Sequence, residues 1–98
     1  MKTLKDCYAE GIAKALYFEQ RRLEEVINEN INLINNLQLQ NIDNMDTMDF
    51  HLLATAKMEL RLAYLGMERL KQELSRQDDN TKRVFALYII EQNIWEAE

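Results

Sequence analysis

The densest set of side chains with ligand chemistry is Asp43, Asp46 and Asp49, at a spacing of three, followed closely by His51. Three carboxylates invite a calcium reading. The segment lacks the turn glycine and the distal bidentate Glu that an EF-hand loop uses, so helix capping explains the spacing better. His51 is the only histidine. With no Glu-x-x-His pair it forms neither a di-iron site nor a zinc site, and a surface or capping role is expected of it. Cys7 is the only cysteine; it excludes an internal disulfide framework, fits a reducing compartment, and has no neighbours that would activate a thiolate.

Acid–base or nucleophilic chemistry needs a nucleophile beside a base, or two carboxylates held together in apolar surroundings. Glu19, between Leu16 and Leu23 and near Gln20 and Arg22, comes nearest, but it reads equally as a boundary residue paired with an arginine. No catalytic residue, metal site or cofactor is therefore expected, and the chain is read as a non-enzyme. Gly11 and Gly66 are isolated within helical patterns, so no phosphate-cradling loop exists. Tyr8, Tyr17, Arg21 and Arg22 could line a ligand pocket within an oligomer, since tyrosine stacks and arginine grips phosphate; an amphipathic helix surface accounts for them as well.

The elements that position these residues are helices. The 98 residues include no proline and two glycines. Leucine-rich ladders run at heptad spacing through Leu16, Leu23 and Leu37, and again through Leu53, Leu60, Met67 and Leu74. The pattern predicts one helical domain: a helix over 4–40 opened by a Thr3/Asp6 capping pair, a turn at 41–46, a helix over 47–77 capped by Asp46 or Thr47, a turn at 78–80, and a helix over 81–97 capped by Asp79 or Asn80. The fold class is all-α: a long antiparallel helical hairpin with a shorter third helix on one half, a coiled-coil-like three-helix bundle. A second apolar stripe on helix two, Met58, Leu62 and Leu65, supports cover by the third helix.

The third helix is too short to cover the whole hairpin. The half from Leu23 to Ala56 then leaves Ile31, Leu39, Ile42, Met45 and Phe50 without cover, and a second copy of the chain is the simplest partner. Trp95 is large enough to anchor an interface. Asn30 occupies a ladder position between Leu23 and Leu37, where a buried Asn can fix register or oligomer state.

Charge divides at the same place. The net charge is −5. Between Leu23 and Ala56 no lysine or arginine occurs, while Glu24, Glu25, Glu29, Asp43, Asp46 and Asp49 form an acidic surface. An acidic chain is poorly suited to bind nucleic acid directly. No apolar run is long enough for a membrane span, and the first residues lead into no signal-peptide core, so a cytoplasmic protein is expected. The function expected is a helical protein–protein interaction module, an adaptor, chaperone-like or regulatory protein, that self-associates, with a dimer favoured. Two alternatives are an acidic phage-type inhibitor of a nucleic-acid-processing or defence enzyme, and an oligomeric small-ligand-binding protein.

Overall fold

The computed structural model describes residues 3–39 and 45–97, with side chains placed as far as Gln92. The protein is all-α, with α1 at Leu4–Gln38, α2 at Thr47–Ser75 and α3 at Asp79–Ala97. No strand occurs among the described residues, so the β-branched and aromatic run at 84–90 is helical despite its strand propensity. No described helix is long and apolar enough to cross a membrane.

Each helix starts where a side chain can satisfy its free amides. At α1, Asp6 N–H donates to Thr3 Oγ1 (3.1 Å), and Thr3 N–H donates back to Asp6 Oδ2 (3.2 Å). This reciprocal pair is a capping box with Asp in the third helical position. The same device opens α2, where Asp49 N–H donates to Asp46 Oδ1 (2.9 Å) and Asp46 N–H to Asp49 Oδ2 (3.4 Å). Two of the three aspartates in the acidic cluster are thus spent on a helix end. The third, Asp43, lies outside the described residues, as does the neighbouring Ile42.

The boundaries near the second turn differ from the sequence expectation. Helix α2 ends at Ser75 rather than at 77, because Arg76 N–H and Gln77 N–H bond the carbonyls of Glu73 and Leu74 in tight i→i−3 geometry. Such bonds close the last helical turn as a 3₁₀ turn. Helix α3 begins at Asp79, and its cap is Asp78, whose Oδ1 accepts from Thr81 N–H at 2.8 Å. Asp79 and Asn80, the expected caps, lie inside the first turn. Helix α1 ends at Gln38, short of the expected residue 40.

The chain divides into two compact units. The first, Met1–Arg21 with Arg69–Glu98, is built from three helix segments, α1 packing against α2 and α3. Ala9, Ala13, Leu70, Thr81 and Phe85 are buried there. Small residues on α1 let α3 approach, and polar bonds fix the pair. Asn80 Nδ2 donates to Asp6 Oδ1 (3.0 Å) and Tyr17 Oη donates to Gln92 Oε1 (2.8 Å). The Tyr17 and Tyr88 rings meet at 5.6 Å between centroids.

The second unit, Arg22–Glu68, is the two-helix hairpin of α1 and α2. Its buried apolar residues are Leu23, Ile34, Leu37, Ala56 and Ala63. Leucine and isoleucine on α1 face alanines on α2, and at Gly66 the Leu23 side chain comes closer still: a Cβ on Gly66 would lie 3.0 Å from Leu23 Cδ2.

The caps make the fold acid-sensitive. The Thr3 backbone and hydroxyl, then Asn80, hold the Asp6 carboxyl below its ordinary value of 3.8, and the Thr81 backbone and hydroxyl do the same for Asp78. A depressed carboxyl contributes stability that is complete above its unfolded pKa and is lost as pH falls through its folded one. Thermal melts of the wild type should therefore lose midpoint as pH drops below about 4. Asp78→Asn keeps an acceptor for Thr81 but no charge, so its midpoint should fall less over that interval; an unchanged acid slope would contradict the assignment.

Candidate functional site

Apolar exposure, rather than a cluster of reactive groups, marks the hairpin unit. Among the described residues no group of three or more His, Cys, Asp or Glu side chains could hold a metal ion. His51 is exposed beside Asp46, Thr47 and Met48, lining a shallow groove at the start of α2. Cys7 is exposed. Of Tyr8, Tyr17, Arg21 and Arg22, Tyr8 lines a groove with Leu4, Lys5, Gln77 and Asp78, the Tyr17 hydroxyl and ring are engaged by Gln92 and Tyr88, and Arg22 lines a groove at the α1–α2 seam.

The sequence-predicted interaction residues fall into three groups. Leu39 is 85 % exposed and Phe50 48 %, in keeping with uncovered positions. Ile31 and Met45 are half-buried. Ile42 and the Trp95 side chain lie outside the described residues. Of the acidic set, Glu25, Glu29 and Asp46 are exposed and Glu24 and Asp49 half-buried, so no carboxylate among these five is withdrawn into the core.

Asn30 is buried, and its Nδ2 donates to the Val26 carbonyl at 2.8 Å. That bond lies within α1, one turn back. Side-chain amides that bond the i−4 carbonyl satisfy themselves locally, and this one needs no group from another helix.

The largest departure from expectation lies on α2. Met58, Leu62 and Leu65, offered by the sequence as a second packing face, are 64, 60 and 50 % exposed. Met48, Phe50, Leu52 and Tyr64 are exposed on the same helix. Thus α2 between Met48 and Leu65 carries seven exposed large hydrophobic residues over about 26 Å of helix, at 1.5 Å per residue. On the partner helix of the hairpin, Glu25, Asn28, Glu29, Asn32, Asn35 and Asn36 are exposed and polar, and Leu33 is the one large apolar residue exposed among the described positions 22–38.

Cations flank the apolar residues of α2. Lys57 and Arg61, with Leu60, Tyr64, Leu65 and Glu68, line a groove of about 460 Å³ running along the helix. A smaller groove of about 190 Å³ follows the α1–α2 seam past Val26 and Leu62. Both are open channels between side-chain ridges, the relief into which another helix packs.

No known family, curated protein or solved structure matches this chain.

The close approach behind this surface is testable at the two glycines. Nothing lies within 4 Å of a Cβ at Gly11, so Gly11→Ala should gain about 0.5–1 kcal/mol from helix propensity. At Gly66 the same gain is opposed by the Leu23 methyl, and Gly66→Ala should stay within about 0.5 kcal/mol of wild type. The bulkier Gly66→Val should cost about 1–3 kcal/mol through overpacking. Urea titrations measure all three. A stabilising Gly66→Val would show that α1 does not press on α2 there.

Proposed function

We propose that this protein is a helical protein–protein interaction module, acting by presenting the outer side of α2 to a partner and using no cofactor. The observation that carries the reading is the seven exposed large apolar side chains of α2 between Met48 and Leu65, among which Met58, Leu62 and Leu65 share one face. The largest contiguous apolar patch on a protein surface is often a site of interaction. A helix contributes such a patch as anchors at i, i+4 and i+7, the spacing of Met58, Leu62 and Leu65.

The acidic surface supports an adaptor or regulator rather than an inhibitor that mimics nucleic acid. Two of its six members, Asp46 and Asp49, are committed to the α2 cap. The remaining carboxylates set the sign of the surroundings and so steer encounter, while apolar contact holds the complex.

A photocrosslinking residue placed at Leu62 should yield a covalent adduct to a protein partner in the producing cell, whereas the same residue at exposed, polar Asn32 should yield none. Equal labelling at the two positions, or none at Leu62, would overturn the assignment of α2 as the working face.

A further inference from the structure

The groove along α2 has an internal symmetry that singles out its occupant. Its lining residues are Lys57, Leu60, Arg61, Tyr64, Leu65 and Glu68. Taken from the two ends inward they pair as Lys57 with Glu68, Leu60 with Leu65, and Arg61 with Tyr64, every pair centred on the same point between Leu62 and Ala63. The partners in each pair are chemically complementary: a cation with an anion, an apolar side chain with an apolar one, a guanidinium with an aromatic ring.

We infer that the groove binds a second copy of itself, forming an antiparallel α2–α2 dimer about a two-fold axis that crosses the groove side of α2 at the level midway between positions 62 and 63. In a two-fold interface, if residue i meets residue j of the partner then j meets i, so the surface must be complementary to itself. An antiparallel helix pair centred at that point sets Lys57 against Glu68 of the partner subunit at both ends. Leu60 then meets Leu65 of the partner subunit, and Arg61 lies over Tyr64 of the partner subunit in cation–π contact. A parallel pair would instead set Lys57 on its own copy, Arg61 on its own copy and Glu68 on its own copy. Like charges facing each other are the repulsive element that specifies orientation.

The side chains are available for this. Lys57, Arg61, Tyr64, Leu65 and Glu68 are exposed and Leu60 is half-buried. Glu68 has an interaction within its own chain, and a carboxylate has acceptor sites for a further cation. The closed symmetry predicts a dimer and no larger fibre. One helix pair is a small interface, so the dimer should dissociate in the micromolar range.

This inference rests on the reading of α2 as an interaction helix and narrows it to one partner. Sedimentation equilibrium of the full chain, from about 5 to 200 μM at low salt, should show a mass of twice 11.7 kDa at the upper end. Lys57→Glu and Glu68→Lys each place two like-charge contacts in the symmetric dimer, and each alone should weaken it tenfold or more. Mixed in equal amounts the two variants are complementary again, and the mixture should recover the wild-type mass, as should the double variant. Circular dichroism of each variant confirms that the helices are intact. A monomeric wild type at 200 μM, single variants that dimerise normally, or a mixture that stays monomeric would each overturn the dimer. A monomer that still crosslinks through Leu62 to another protein would sink this inference alone and leave the interaction reading standing.

Discussion

Where Leu23 meets Gly66, α1 and α2 come so close that one more methyl group would have to displace the Leu23 side chain by a few tenths of an ångström. That approach sets the character of the hairpin unit. Alanines at 56 and 63 continue the same inner line on α2, opposite Leu23, Ile34 and Leu37. Two helices this close bury a narrow stripe and nothing more, since a pair has no third wall. Whatever apolar residues α2 carries beyond the stripe must then face outward, and from Met48 to Leu65 it carries seven. The exposed surface is the geometric consequence of a small-residue seam on a helix that is apolar on more than one side.

The unit containing α3 resolves the same problem differently. There a third helix supplies the missing wall, and polar groups fix it: Asp6 with Asn80, and Tyr17 with Gln92. Asp6 does double work, closing the α1 capping box while accepting from α3. The start of α1 and the first turn of α3 are thereby joined through one carboxylate, held ionised first by the Thr3 cap and then by Asn80, whose bond ties the two helices together.

Heptad spacing located the α1 seam at Leu23 and Leu37, which are buried, but on α2 the ladder residues Leu53, Leu60, Met67 and Leu74 are only half-buried, as is Leu16 on α1, and the buried line of α2 runs instead through Ala56, Ala63 and Leu70. The Thr3/Asp6 cap was legible too, because the residue types and the three-residue offset define the bonds, and of the two candidates for α2, Asp46 and Thr47, it is Asp46 that caps, bonded reciprocally with Asp49. The α3 cap was not, since Asp78, Asp79 and Asn80 are all good capping residues and only the turn left by α2 decides which carboxylate reaches Thr81. The fate of Met58, Leu62 and Leu65 was also beyond the pattern. Spacing shows that they share a face, whereas whether that face is covered depends on tertiary packing that spacing does not encode. The pairing of Lys57 with Glu68 and Arg61 with Tyr64 was present in the sequence, yet it means nothing until those residues are known to line one open groove.

Charge decides how such a surface can be used. At −5 the chain repels its own copies at long range, and the segment from Leu23 to Ala56 has no cation with which to attract one. Bulk electrostatics therefore opposes association, and a non-specific apolar encounter has to overcome it. The cations on α2 begin at Lys57, directly after that segment, and lie on the groove beside the exposed leucines and tyrosine. On α2, the first attraction for an acidic partner thus coincides with a stretch where apolar contact is also available. Under a general repulsion, a docking partner gains most by placing its own carboxylate and apolar groups in register with Lys57, Arg61 and the groove between them, so the charge distribution rewards one alignment and discourages the rest.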